Sequence, residues 1–371
     1  MGQRVSGLQN IFNEPGGDVW AMKRKKFRGF FAGFNSHLWV RVTLQHTENM
    51  IEMLRNVEGE VDVAQIMKQV TFDIISHLVL GKDPATTDEL HVIRDSIDTM
   101  LRIGFNRAFD DVRNKLPFVD TEIKQRFAKA VKEVRSYSLQ LIRERKQGTS
   151  RERKDILDMI IECNGTDEED MIDDVIIFLI AGYETAANVL AFTLASILQD
   201  TRITDIVTKE VRSANITDAT LWKKEMPHLT ACISESMRLY PPVPVSHRWN
   251  RSSTRLGQYL IPEGALVQAG VYIQQRLPRY WGEDADSFKP ERWLQRDGSS
   301  GQLFNPLPGS YLPFMVGPRS CVGKSLAMVF MSALLGQLLS ELTFSGVKES
   351  VGVLQSCTLT PRDKIMVRVC N

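Results

Sequence analysis

Apolar positions recur at helical spacing along most of the chain's first half. The spacing is clear over Val61–Gly81, which ends on a glycine suited to a helix C-terminus, and again over Leu90–Leu101 and Thr121–Arg145. Asp18–Phe34 also reads as a helix, basic and aromatic, with Trp20, Lys23, Arg24, Lys25 and Lys26 ahead of Phe27, Phe30, Phe31 and Phe34. Trp20 and Arg24 lie four apart and so on one helical face, either as part of a solvated cationic surface or as donors to an anion. Most of the first 165 residues is thus helical scaffold. Ile103–Phe118 is less regular and is either a loop over a pocket or ordinary loop packing, and Gln147–Lys154 is a polar connection.

From Met171 to Leu198 the chain is apolar on nearly all sides, after an acidic start at Thr166–Asp170 that suits a helix N-terminus. This predicts a long helix crossing the core. In its middle stands Ala181-Gly182-Tyr183-Glu184-Thr185. Burying the acid and the alcohol costs several kcal/mol unless they are paired, so either a structural salt bridge or a functional site is needed. The helix around Pro227–Tyr240 carries Glu235 and Arg238, three apart and able to pair. Such pairs usually decorate surfaces, but Ile233, Met237, Leu239 and Tyr240 surround this one, which predicts a partly buried pair with a third partner. Pro241–Pro244 then forces an extended path. Gly257–Ile273 alternates as short strands, including Leu266–Tyr272, and Leu354–Val369 reads as a hairpin with Pro361 and Asp363 in its turn and a tip near Cys357–Leu359. The whole pattern is mainly α with small β-sheets (α+β).

The chemistry concentrates at Phe314–Gly323, Phe-Met-Val-Gly-Pro-Arg-Ser-Cys-Val-Gly. Gly317 and Gly323 supply backbone freedom and room for a flat body, Pro318 stiffens the turn, and Arg319 fixes a cation nearby. Ser325–Leu342 reads as an apolar helix, so Cys321 sits at a helix start, where the dipole favours a thiolate. A lone loop cysteine is more often an ordinary buried thiol; Phe314, Gly317, Arg319, Cys321 and Gly323 together point to a metal ligand.

Composition narrows the classes. The chain has 371 residues, 43% hydrophobic and 25% charged, enough for a substantial soluble core. With 46 basic and 45 acidic residues the net charge of +1 gives no global reason to expect nucleic acid or an acidic partner. The five cysteines are odd in number and widely spaced, which indicates neither a disulfide framework nor a structural zinc site. No run is expected to reach the about 18 apolar residues of a membrane span, and the start lacks the apolar core of a signal peptide.

The Phe314–Gly323 segment resembles the haem-binding loop of the cytochromes P-450, the haem-thiolate monooxygenases. The resemblance runs from about Trp20 to the C-terminus, with the motifs in the family's order. It implies the cytochrome P-450 fold as one domain over 1–371: helical scaffold at 18–165, a central helix at about 168–199, the E-x-x-R helix, strands, meander and haem loop at 226–342, and a C-terminal hairpin at 343–371. The implied cofactor is haem b, iron protoporphyrin IX, with Cys321 as axial ligand, Phe314 and Gly323 beside it, and Trp20, Arg24, Arg248 and Arg319 on the propionates. For Arg248 a salt bridge elsewhere is a real alternative. Ala181 and Gly182 would form the O2 pocket and Glu184 with Thr185 the proton relay; Tyr183 stands where many members have histidine. Glu235, Arg238 and Arg292, the last within Phe288–Trp293, would lock the cysteine loop in place. Arg276–Ala285 resembles the family's H-R-x-x-x-x-W-G-x-D-A with Gln275 replacing the histidine, a change expected to weaken a structural hydrogen bond.

The implied activity is insertion of one oxygen atom from O2 into a small apolar organic substrate, in secondary metabolism, by a eukaryotic microsomal enzyme of fungal type. Electrons would come from an NADPH-dependent flavin reductase at the cationic face. The family carries a membrane helix, two strands and further elements before the Trp20 helix, which this sequence lacks. Strands at 257–273 are therefore expected to keep unpaired edges and the active site an open wall. Either the chain folds with a compromised sheet or it is a shortened version of a longer protein. The full-length type faces the cytosol from the endoplasmic reticulum; as written the chain would be cytoplasmic, touching membrane only through an N-terminal anchor. A truncated haem-binding or haem-free interaction protein without turnover is the alternative.

Overall fold

The computed structural model describes residues 10–31, 36–82, 89–108, 121–148, 155–220, 222–294, 306–347 and 351–370. The main helices are α1 (Asp18–Phe30), α2 (Ser36–Arg55), α3 (Val63–Leu80), α4 (Glu89–Ala108), α5 (Thr121–Gln147), α6 (Ile156–Asn164), α7 (Glu168–Leu198), α8 (Thr201–Ser213), α9 (Pro227–Leu239) and α10 (Lys324–Glu341). Their ends follow local chemistry. Asp62 accepts from Ala64 N to start α3, and Gly81 closes it in the left-handed region at φ 64°. Asp155 and Asp158 form a reciprocal capping box on α6. Asp167 caps α7, whose first turn carries Glu168, Glu169 and Asp170.

α7 is the axis of the molecule. It is long and apolar enough to cross a membrane by length and composition, which corrects the expectation that no stretch would be. In this structure 72% of its apolar window is buried, as in the core helix of a globular protein. Helices α3, α5, α6 and α9 pack on it. The approach of α3 is close because Gly182 lacks a side chain: a Cβ there would stand 2.9 Å from Ile75 Cδ1.

The sheets are small and antiparallel. β1 (Glu60–Asp62), β9 (Met366–Cys370) and β6 (Thr343–Ser345) form one in that order; β2 (Val245–Trp249) pairs with β5 (Leu266–Gly270), β3 (Thr254–Leu256) with β4 (Tyr259–Ile261), and β7 (Val353–Gln355) with β8 (Leu359–Pro361). Among the described residues β5 pairs with β2 alone.

Several expectations change. The strand expected over Leu266–Tyr272 ends at Gly270, and a short helix, Val271–Gln274, follows. The C-terminal hairpin turns at Ser356–Thr358; Pro361 ends β8 opposite Val353, and Met366–Cys370 leaves to join β1 and β6. Ile103–Ala108 continues α4, while 109–118 lies outside the described residues, as does 149–154 of the polar connection. Lys23, read from sequence as part of a cationic face, is 1% exposed. Burial pulls its pKa down, but the Asp174 and Asp170 carboxylates outweigh that and hold it up. Asp174 also accepts from Asn164 Nδ2 (3.0 Å) and Ile11 N (2.9 Å), so this buried charge pair ties α1, α6 and residues 10–14 to α7.

Candidate haem-thiolate site

The cysteine loop is a sequence of tight turns. Gly317 adopts φ 78°, and Met315, at φ 56°, holds a left-handed conformation costly for a residue with a side chain. The turns close through Met315 N to Leu312 O (3.1 Å) and Ser320 N to Gly317 O (3.0 Å), and Cys321 N donates to Phe314 O at 2.8 Å. Gly323 has φ −85° and caps α10 with no side chain; a Cβ there would lie 3.9 Å from Cys321 Sγ. The sulfur stays accessible while its surroundings are crowded. Burial pushes the thiol's pKa up, against the N–H groups of Gly323 and Lys324 and the Arg24 charge, which pull it down. The sequence suggested that the helix start would favour a thiolate outright; here desolvation wins. Such a sulfur is best deprotonated by a cation bound to it.

Around this sulfur the cations repel one another. Arg24 Nη2 donates to Ser320 O at 2.6 Å, and the Arg319 guanidinium lies 4.0 Å over the Trp20 ring. Arg319 also donates to Ile11 O and Glu14 O. Its pKa is lowered, first by burial and then by Arg248 and Arg251, with Glu14 pulling the other way. Arg248 is exposed and donates to Ser246 Oγ (3.2 Å) and His247 O (2.7 Å), with no salt bridge to an acid among the described residues. Arg251, which sequence reasoning missed, belongs to the same cluster and donates to Gly16 O at 3.5 Å. Positive charge crowded this way suits a multiply anionic ligand.

The central helix shows the complementary feature. Ala181 is exposed and Ile177 and Thr185, one turn to either side, are half-buried, so one stripe of an otherwise buried helix stays open. Thr185 Oγ1 donates to Ala181 O at 2.7 Å. Gly182 faces away from this stripe towards Ile75, and Tyr183 is fully buried, donating to Asp98 at 2.8 Å. Glu184 is 5% exposed, and its Oε2 has no hydrogen-bond partner. Burial pushes its carboxyl pKa up, opposed by Lys68 and by a hydrogen bond from Thr358. An accessible sulfur beside a glycine, mutually repelling arginines and an open helix stripe fit a flat, dianionic, metal-bearing cofactor.

Behind the loop, Glu235 and Arg238 are both fully buried and joined by two bonds of 2.8 Å. Arg292 Nε (3.2 Å), Trp293 Nε1 (2.9 Å) and Lys289 N (2.9 Å) complete the shell around Glu235. Arg238 also donates to the carbonyls of Gln275, Ala285 and Ser287, so the pair fixes the meander of the chain between them. Gln275 is fully buried and keeps its hydrogen bonds, which overturns the expected weakening. Its Nε2 donates to Met237 O and Arg238 O, both at 3.0 Å, and its Oε1 accepts from Leu312 N at 2.6 Å. Sequence flagged the position as a departure but gave no sign of the backbone groups that the amide's donor and acceptor would reach.

Comparison with known proteins agrees with this arrangement. A family model described as Cytochrome P450 matches residues 3–368. "Cytochrome P450 94A1" of Vicia sativa is 29% identical over 366 residues, covering 89% of this chain and 68% of that one. "Cytokinin hydroxylase" of Arabidopsis thaliana is 26% identical over 344 residues, 89% of this chain and 65% of its own length. "Probable cytochrome P450 4aa1" of Drosophila melanogaster is 25% identical over 353 residues, 87% and 66%. The chain spans about two thirds of the length of these relatives.

Proposed function

The chain belongs to the cytochrome P450 family, whose members are haem-thiolate monooxygenases, and from that premise we propose that it inserts one oxygen atom of O2 into an apolar organic substrate, with Cys321 as the iron's protein ligand. The observation that carries the reading is the accessible Cys321 sulfur beside arginines that repel one another. When bound, the haem supplies activation of O2 and the thiolate's electron push. The protein's own residues do the rest. Arg24, Arg248 and Arg319, with Trp20, would hold the propionates, whose negative charge would cancel the cluster's repulsion. Phe314 and Gly323 flank the sulfur, and Glu235, Arg238 and Arg292 fix the loop from behind.

On the opposite side Ala181 leaves room at the open stripe. Gly182 contributes there only indirectly, by letting α3 pack closely. Thr185 presents a hydroxyl whose hydrogen is given to Ala181 O, leaving its oxygen to accept. Glu184, whose carboxyl burial pushes towards the neutral form, would hold the proton to be delivered. The exposed Lys25 and Arg28 of α1 suit docking of an acidic electron donor, in this reading an NADPH-dependent flavin reductase at the endoplasmic reticulum surface. The likeness to a cytokinin hydroxylase and the family's breadth support a role in secondary metabolism.

The test is the absorption spectrum of the reduced, CO-bound protein. Cys321→Ala is expected to abolish the thiolate-type Soret band and Cys163→Ala to keep it. Equal loss from both, or no such band in haem-loaded parent protein, would remove Cys321 from this role.

A further inference from the structure

Residues 10–14 stand between α7 and the arginine beside Cys321. The segment is closed on itself: Asn13 N (3.1 Å) and Glu14 N (2.8 Å) donate to Asn10 O, and Asn10 Oδ1 accepts from Phe12 N at 3.0 Å. Asn10 is buried, and the Ile11 side chain packs against the core. Ile11 itself faces both ways. Its N–H donates to Asp174 Oδ1 at 2.9 Å, and its carbonyl accepts from Arg319 Nη1 at 3.4 Å. Glu14 O takes the shorter bond from Arg319 Nη2, at 2.8 Å. A Cβ on Gly16 would lie 3.8 Å from the same Nη2, so the chain beyond the turn also packs on the guanidinium.

We infer that Asp174, buried in α7, is a positioning residue for the cofactor's acidic groups: it holds the turn at residues 10–14, and the turn aims Arg319. The inference rests on the propionate role proposed for Arg319. Both oxygens of Asp174 are committed, Oδ1 to Ile11 N and Oδ2 to Lys23 Nζ (3.1 Å) and Asn164 Nδ2 (3.0 Å). At 0% exposure the carboxylate cannot turn away without stranding the buried Lys23 charge. The turn is thus anchored on a group that α1 and α6 anchor in their turn. Arg319 needs such an anchor, because a long side chain beside Arg24, Arg248 and Arg251 is otherwise driven towards solvent by like charge. Two carbonyls hold its terminal nitrogens instead, each nitrogen carrying a second N–H to donate to an anion.

The full chain is titrated with ferric haemin and with its dimethyl ester, which carries no propionate charge, and the Soret band gives the affinity for each. Ile11→Pro removes the N–H that Asp174 Oδ1 accepts, at the turn position where proline is favoured, while Ile11→Ala removes the side chain and keeps the N–H. Ile11→Pro is expected to bind haemin about fivefold more weakly than Ile11→Ala, with no such difference for the ester. Once Arg319→Gln has been made, the two Ile11 variants should no longer differ. Suppose Arg319→Gln weakens haemin binding but the Ile11 variants bind alike, or differ equally for haemin and ester: the inference is overturned and the propionate reading stands. Haemin binding unchanged by Arg319→Gln would overturn that reading, and this inference with it. Should Ile11→Pro fail to fold, Asp174→Asn is measured instead, since an amide has one acceptor oxygen for donors on two sides. A loss of haemin affinity without loss of ester affinity supports the inference, and an equal loss of both, or none, overturns it.

Discussion

Arg238 shows how much one side chain carries. Its guanidinium serves Glu235 and three backbone carbonyls, and lies 5.0 Å from the Trp281 ring centre. A lysine cannot reproduce the fork, so Arg238→Lys leaves Glu235 part-paired at 0% exposure. We expect a loss of about 3–5 kcal/mol, read from denaturant midpoints, together with poor haem retention. Glu184 gives a second prediction. Its folded pKa is raised above the ordinary 4.5, so the stability it contributes is present below that value and lost as pH rises through the folded one. Glu184→Gln should therefore gain stability relative to the parent as pH increases from about 5 to 8; a constant difference would contradict this. The Glu235–Arg238 pair with its third partner Arg292 was legible from sequence because the first two are three residues apart and the third lies in a dense motif. Lys23, Gln275 and Thr358 were not, because their partners lie 151, 37 and 170 residues away.

A helix whose caps write its ends into the chain was legible in extent, as where Asp62 and Gly81 bracket α3, whereas α4 runs on through Ile103–Ala108, which looked irregular in sequence. Hairpin register was not legible. Pro361 and Asp363 look like turn residues, yet burial of Thr358 and Leu359 against the core moves the turn upstream. A long-range cap also escaped notice. The Glu210 carboxylate of α8 accepts from His228 N and Leu229 N, both at 2.9 Å, at the start of the helix that holds Glu235 and Arg238. Glu210→Ala should destabilise the protein by about 1–2 kcal/mol, seen in thermal or denaturant melts, whereas Glu225→Ala, on an exposed loop contact, should cost less. Close packing of α3 on α7 gives another test. Gly182→Ala should lower the melting temperature, and adding Ile75→Val should recover part of the loss, a coupling absent if the helices simply part.

At the scale of the molecule, the main apolar cluster of the described residues runs from Phe27 to Val367, beside a small second one of Ala231, Trp281, Ala285 and Trp293. The first helix and the last strand share the main cluster, so no cut separates a cofactor half from a scaffold half. Unfolding should be a single transition, with loss of near-ultraviolet circular dichroism and of the haem band coinciding; separate midpoints would show two units. The class of fold followed from helical periodicity. Which helices touch did not, because an all-round apolar helix such as α7 gives no preferred face in sequence.

The amide at position 275 has a consequence for the cysteine loop in acid. An imidazole there would titrate between about pH 5 and 8, and once charged would have no lone pair for the Leu312 N–H. Gln275 cannot change charge, and it holds Leu312 N at 2.6 Å while its other end grips α9. The anchorage that residue 275 gives the cysteine loop in this protein is thereby indifferent to mild acidification.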